Sequence, residues 1–200
     1  MAWVLDVSGT ITEDNFKNTQ TFVKSVQEKI GLKSNNNKAS VTTYGNDASI
    51  DMKCNEYTDI HEFKKAVEAL NRRPKQFTNT RDGLEKGQYS LAHDGCGVRE
   101  NNLRIQKIII LLTDGLANRG IGNEPGLIEA SKAIQESGTI VLVVAVGQFS
   151  DNQLLKMVLS DNIHRTKKTK GGGFLALNNE QFVLDVKKAV CGNVVPTKGN

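Results

Sequence analysis

Three short stretches carry oxygen-bearing side chains at spacings that suit a hard cation: Asp6-Val7-Ser8-Gly9-Thr10, Thr78-Asn79-Thr80 and Thr113-Asp114-Gly115. Asp6, Ser8 and Thr10 alternate along one extended turn, so their three oxygens can face a single point. Thr78 and Asp114 would then add a hydroxyl and a carboxylate from neighbouring loops. Magnesium takes oxygen ligands at about 2.0 to 2.1 Å in near-octahedral geometry and keeps some water, which two carboxylates with several hydroxyls allow; manganese and calcium are the other candidates. Neutral hydroxyl ligands leave such an ion electron-poor and open to a carboxylate from outside. Taken singly, each stretch has a plainer explanation. Asp and Ser after a strand usually cap the next helix, and Thr-Asn-Thr alone says almost nothing. The combination carries the inference, because each stretch closes an expected strand or opens an expected helix.

Stepping along the chain, strands alternate with helices. Trp3-Val4-Leu5 leads into the first stretch, and Lys107 to Thr113, with its run Ile108-Ile109-Ile110-Leu111-Leu112, reads as a central strand buried on both faces. Thr12 caps a helix from about Glu13 to Ile30 with Phe16, Val23, Val26 and Ile30 on one stripe and Gly31 as the stop. Ala39 to Tyr44 and Ala48 to Lys53, joined by Gly45-Asn46-Asp47, can only be an antiparallel hairpin whose second strand is an edge. Helices follow from Thr58 or Asp59 through Leu70 and from Arg81 to Ala92, then a loop over Asp94 to Asn102. A further helix spans Pro125 to Glu136, and Thr139 to Val146 is a second fully apolar strand. The remainder reads as a short helix over Asn152 to Leu159, a basic and glycine-rich loop from Arg165 to Gly173, a last strand at Phe174 to Leu177 and a closing helix from Glu180 to Val190. This alternation predicts an α/β, doubly wound, mostly parallel sheet with one antiparallel edge strand and helices on both faces. Loops at the carboxyl ends of its strands are where such sheets bind ligands.

Composition permits one large domain over residues 1–200, with 38% apolar residues and nothing resembling a linker midway. The net charge of +4 mixes both signs and is too small to demand nucleic acid. No apolar stretch reaches the roughly 18 residues of a membrane helix. Met1-Ala2 runs straight into strand residues with no signal segment, as in a domain excised from a larger protein. Cys54, Cys96 and Cys191 are too few for a disulfide scaffold and lack the CxxC spacing of a zinc site. They read equally as three buried thiols or as a Cys54–Cys96 bridge with Cys191 pairing elsewhere.

In combination the motifs resemble the metal-ion-dependent adhesion site of a von Willebrand factor type A domain, also called integrin I-like, whose pattern is DxSxS, then T, then D in a TDG. Asp6, Ser8, Thr10, Thr78 and Asp114 stand at those positions, and the likeness covers essentially the whole chain. Thr10 departs from the usual Ser, keeping the hydroxyl and adding a methyl, and the first strand is trimmed of its usual preceding residues. The resemblance implies a Rossmann-like sheet with magnesium at its upper edge. It also implies an extracellular or cell-surface, non-enzymatic role in binding a protein ligand with an exposed Asp or Glu, such as collagen or another matrix protein. Lys188-Ala189-Val190-Cys191 and Ile110-Leu111-Leu112-Thr113-Asp114-Gly115 are similar to A domains of parasite gliding adhesins, matrilins and byssal thread proteins. In integrin-type domains the final helix moves with the metal site, and Phe182, Val183, Val186 and Val190 would be its apolar stripe here.

Two other readings compete. Val4 to Ile11 also resembles the haloacid-dehalogenase phosphatase motif, in which the first Asp, here Asp6, is the nucleophile. Ser8 stands where that chemistry needs a second carboxylate, and a hydroxyl of such high pKa cannot shuttle a proton near neutral pH. The second reading concerns basic residues: Arg72, Arg73 and Lys75 form one cluster, and His164, Arg165, Lys167, Lys168 and Lys170 another. Solvated surface explains both, while a metal-independent heparin-like glycan site is the sharper expectation. His61, His93 and His164 make no HxxxH pair, and Gly171-Gly172-Gly173 lacks the GK[ST] ending of a phosphate loop.

Overall fold

The computed structural model describes residues 1–32, 37–73, 76–93, 96, 105–115, 124–146, 163–165 and 173–192. In chain order these form β1 (Ala2–Asp6), α1 (Glu13–Ile30), β2 (Ser40–Tyr44), β3 (Ala48–Met52), α2 (Ile60–Ala69), α3 (Thr80–His93), β4 (Lys107–Thr113), α4 (Glu124–Glu136), β5 (Thr139–Ala145), β6 (Ile163–Arg165), a 3₁₀ helix (Phe174–Asn178) and α5 (Glu180–Gly192). The described strands make one sheet in the order β3-β2-β1-β4-β5-β6. All neighbours are parallel except β2 and β3, the expected hairpin, so β3 is an antiparallel edge.

Period-two alternation divides the sheet's apolar residues between two cores. Trp3, Leu5, Ile108, Ile110, Leu112, Leu142 and Val144 face the side covered by α1, α2, the 3₁₀ helix and α5. Ala2, Val4, Ile109, Leu111, Val141 and Val143 face α3 and α4. Each fully buried Leu or Ile contributes on the order of 1.5 to 3 kcal/mol, so the continuous apolar runs of β4 and β5 anchor both layers.

The helices begin and end for local reasons. Thr12 Oγ1 accepts the Asn15 amide at the N-terminus of α1, Glu13 and Asp14 suit the positive end of its dipole, and Gly31 at φ 83° stops it. Buried polar groups of α1 tie layers together: Trp3 Nε1 donates to Gln27 Oε1, and Gln20 Nε2 donates to carbonyls at the end of α2, including Val67 O at 2.8 Å. Asp59 caps α2 by accepting the His61 and Glu62 amides.

Helix α3 lies unusually close to the sheet. A Cβ at Gly83 would stand 2.8 Å from Tyr44 Cγ, and one at Gly87 would stand 2.6 Å from Val4 Cγ2. These two glycines, one turn apart, let the helix backbone approach β1 and β2 directly.

Two expectations are corrected. Phe174 to Leu177 is a 3₁₀ helix and not a strand: at three residues per turn Phe174 and Leu177 share one buried side, while Leu175 points outward at 69% exposure. Gly173 at φ 97° opens this turn. The last strand is instead β6, parallel to β5 in the register Val143↔Ile163 to Ala145↔Arg165. Three residues, two of them basic, give no apolar run by which to read it, so Arg165 and His164 belong to a strand where a loop was expected. The expected helix over Asn152 to Leu159 and most of the loop over Asp94 to Asn102 lie outside the described residues. Cys54 and Cys96 are bridged, with Cα atoms 4.7 Å apart, and Cys191 is a free, exposed thiol.

Candidate metal centre

β2, β1 and β4 are adjacent and parallel, so the loops leaving their carboxyl ends emerge side by side. Two backbone hydrogen bonds extend this alignment past the strands: Val7 N donates to Tyr44 O at 2.8 Å, and Val146 N to Thr113 O at 2.9 Å. The β1 loop then turns back, with Ile11 N on Ser8 O at 3.0 Å, which presents Ser8 and Thr10 on the same side as Asp114.

The side chains meet there as a chain of oxygens. Ser8 Oγ lies 3.3 Å from Thr10 Oγ1, and Thr10 Oγ1 donates to Asp114 Oδ1 at 3.1 Å. Behind them Asp6 is wholly buried. Its Oδ1 accepts the Ser8 amide at 2.8 Å, and its Oδ2 accepts the hydroxyls of Thr113 at 3.1 Å and Tyr44 at 3.4 Å. Thr113 Oγ1 also sits 2.9 Å from Gly115 O, so its one proton is shared between the site's floor and the loop that carries Asp114.

The electrostatics follow from burial. Asp6 is pushed up to about 6, chiefly by desolvation, against the hydrogen bonds from Ser8 that favour its ionised form. Asp114 is raised for the same first reason, opposed by Thr10. The Tyr44 phenol is raised well above its ordinary value by burial and then by the neighbouring Asp6 charge. Among the described residues neither Asp6 nor Asp114 forms an ion pair. A buried and a partly buried carboxylate thus lie together with no compensating positive charge among the described residues, an arrangement that is costly unless a cation or protons neutralise it.

The donor set fits a divalent cation of the hard kind. Adjacent ligands in an octahedron with bonds of 2.0 to 2.1 Å lie about 2.9 Å apart, close to the spacings of Ser8 Oγ, Thr10 Oγ1 and Asp114 Oδ1. Asp6 lies behind these three oxygens with both of its own engaged by protein donors. Among the described residues there is no group of three or more His, Cys, Asp and Glu side chains, so no nitrogen- or sulfur-rich cage competes.

Thr78 is buried on the adjoining turn. The residues on either side of it are bonded to the β2–β3 connection, Phe77 N to Asn46 Oδ1 at 2.8 Å and Asn79 N to Gly45 O at 2.7 Å. The structure thus joins Asp6, Ser8, Thr10 and Asp114 in one hydrogen-bonded cluster and holds Thr78 on the neighbouring loop. Sequence reading gave no role to Tyr44 or Asn46, and named Thr113 only as part of the third stretch. Tyr44 closes a strand and Thr113 precedes the acidic ligand, and neither carries a charge to draw attention to it.

The basic clusters separate. Arg73 lies near enough to Asp51 of β3 to counter the upward effect of burial on that carboxyl, whereas Arg165 belongs to β6 at the opposite edge. Arg72 is half-buried, and Lys75, Lys167, Lys168 and Lys170 lie outside the described residues. His61 is on α2, and His93, at the end of α3, stacks on Tyr89.

No curated protein matches this chain. Solved structures do. Proximal thread matrix protein 1 from the mussel byssus superposes with a TM-score of 0.77 at 19% identity, over 95% of this chain and 47% of the other. A form of that protein with a zinc-occupied MIDAS motif gives a TM-score of 0.75 at 21% identity, over 95% and 45%. The manganese-loaded TRAP protein of Plasmodium vivax gives 0.66 at 14%, over 91% and 72%. The chain therefore spans about half the length of the byssal proteins it matches, and at these identities the likeness speaks for the fold. The profile of the von Willebrand factor type A domain matches residues 1–177. With sheet order, loop placement and profile in agreement over most of its length, the chain belongs to the von Willebrand factor type A domain family.

Proposed function

We propose that this domain is an adhesion module that grips a protein or matrix ligand through Mg²⁺ held by Ser8, Thr10, Thr78 and Asp114, with Asp6 behind them and a ligand carboxylate completing the shell. The observation that carries this is the run of three oxygens over a buried carboxylate, facing solvent at Thr10 and carrying no ion pair among the described residues. Divalent ions in the MIDAS motif of a byssal protein and in the TRAP protein of Plasmodium vivax support the use of a metal here. A Cys54–Cys96 bridge accords with an oxidising, extracellular setting, and no helix among the described residues is long and apolar enough to cross a membrane.

Binding to collagens, other matrix proteins and heparin, measured with magnesium and with chelator, tests the proposal. Retention on a protein ligand that disappears with chelator is expected; retention only on heparin, unchanged by chelator, would replace it with the glycan reading. Asp114→Ala should abolish magnesium-dependent binding while leaving the circular-dichroism spectrum and melting transition intact, because Asp114 sits at the rim. Loss of folding would make it a structural residue.

A further inference from the structure

The β2–β3 connection is bonded to the start of α3 far more densely than a hairpin turn requires. Asn46 Oδ1 accepts the Phe77 amide at 2.8 Å, and Asn46 O accepts Asn79 Nδ2 at 3.2 Å. Gly45 O accepts the Asn79 amide at 2.7 Å, and Asp82 Oδ2 accepts the Ala48 amide at 2.5 Å. Asn79 Oδ1 in turn accepts the Asp82 amide, capping the helix. Residues 77 and 79 are thus both tied to residues 45 and 46, which brackets Thr78 on each side. Asn46 is the one side chain in this set that bonds the residue before Thr78 while its carbonyl bonds the residue after.

We infer that Asn46 is a positioning residue for the metal centre: it fixes the backbone on both sides of Thr78 and so sets where the Thr78 hydroxyl stands relative to Ser8, Thr10 and Asp114. This rests on the metal reading proposed above. A hydroxyl ligand contributes only if it is held in place before the ion arrives, since ordering a loop on binding costs conformational entropy. Among the described residues Asn46 makes no hydrogen bond to Ser8, Thr10 or Asp114, so its effect on the ion passes through Thr78.

The test is a titration of the full chain with Mn²⁺, followed by electron paramagnetic resonance, for wild type, Asn46→Ala, Asn46→Asp, Thr78→Ala and the double variant. Melting in chelator reports the fold separately. Loss of one hydrogen bond that preorganises a ligand predicts that Asn46→Ala weakens Mn²⁺ binding about five- to ten-fold. Asn46→Asp, which keeps the acceptor for the Phe77 amide, should restore most of it. In the Thr78→Ala background Asn46→Ala should change affinity by less than about two-fold, because the group it positions is gone. Equal losses with and without Thr78, or no loss at all, would overturn the inference while leaving the metal site standing. Absence of Mn²⁺ binding by the wild type would overturn both. If Asn46→Ala fails to fold, Asn79→Ser, which keeps a capping oxygen and removes the donor to Asn46 O, takes its place with the same expected dependence on Thr78.

Discussion

Asp6 accepts hydrogen bonds on both carboxylate oxygens and yet titrates near 6, because burial outweighs the three donors around it. Its folded-state value is raised above the unfolded 3.8, so without metal its contribution to stability is fully present below about pH 4 and is lost as pH rises through about 6. Asp6→Asn mimics the protonated form: its oxygen can accept the Ser8 amide, and its amide can donate to the Thr113 hydroxyl. In chelator at neutral pH this variant should therefore be more stable than wild type by up to about 3 kcal/mol, the difference vanishing as pH falls below about 4. Chemical denaturation across that range checks it. With magnesium present the order should reverse at neutral pH, since the ion stabilises only the carboxylate form.

Helix α3 seats the turn that carries Thr78 against the sheet. Its buried face is Thr80, Gly83, Leu84, Gly87, Ser90 and Leu91, a helical stripe in which small residues set the distance to the sheet. Leu84 supplies apolar burial and the glycines supply proximity, so that the N-terminus of the helix reaches the level of the strand ends. Gly87→Ala should destabilise by about 1 to 3 kcal/mol through the contact with Val4 Cγ2, in spite of Ala's better helix propensity of up to about 1 kcal/mol. Urea unfolding at fixed metal concentration measures the balance. A stabilised Gly87→Ala protein would mean that α3 can lift from the sheet freely, and that its closeness does not set the position of the loop before it.

For the whole molecule, the Cys54–Cys96 bridge closes the same pair of elements that Asn46 joins at the other end. Cys54 follows β3 and Cys96 follows α3, so the edge hairpin and the helix are held both by the bridge and by the bracket around Thr78. A sequence separation of 42 residues corresponds to roughly 4 kcal/mol of loop-closure entropy removed from the unfolded chain. Replacing both cysteines with serine should lower the melting temperature clearly and abolish the effect of added reductant. An unchanged transition would show that the hairpin and α3 are held by packing alone. Cys191 is exposed on α5 and stands outside this arrangement.

Much of this was legible in the residues alone, for a physical reason. Buried parallel strands are written as unbroken apolar runs, so β4 and β5 could be read directly, and the short Gly45-Asn46-Asp47 turn left only an antiparallel hairpin. Asp6, Ser8, Thr10 and Asp114, which the fold joins in one hydrogen-bonded cluster, could be picked out because each closes or follows such an element, and Thr78 because it precedes a helix. What the sequence could not supply was pairing between distant parts. The choice between three thiols and one bridge, the strand formed by Ile163-His164-Arg165, and the turn at Phe174 depended on neighbours brought in from elsewhere in the chain. So did the second layer of the site. Tyr44 and Thr113 are ordinary β-strand residues until parallel pairing sets them beside Asp6, and Asn46 is an ordinary turn residue until α3 lies against the hairpin. Local chemistry determined which atoms could hold an ion; the sheet order and the close seating of α3 decided which groups would hold those atoms still.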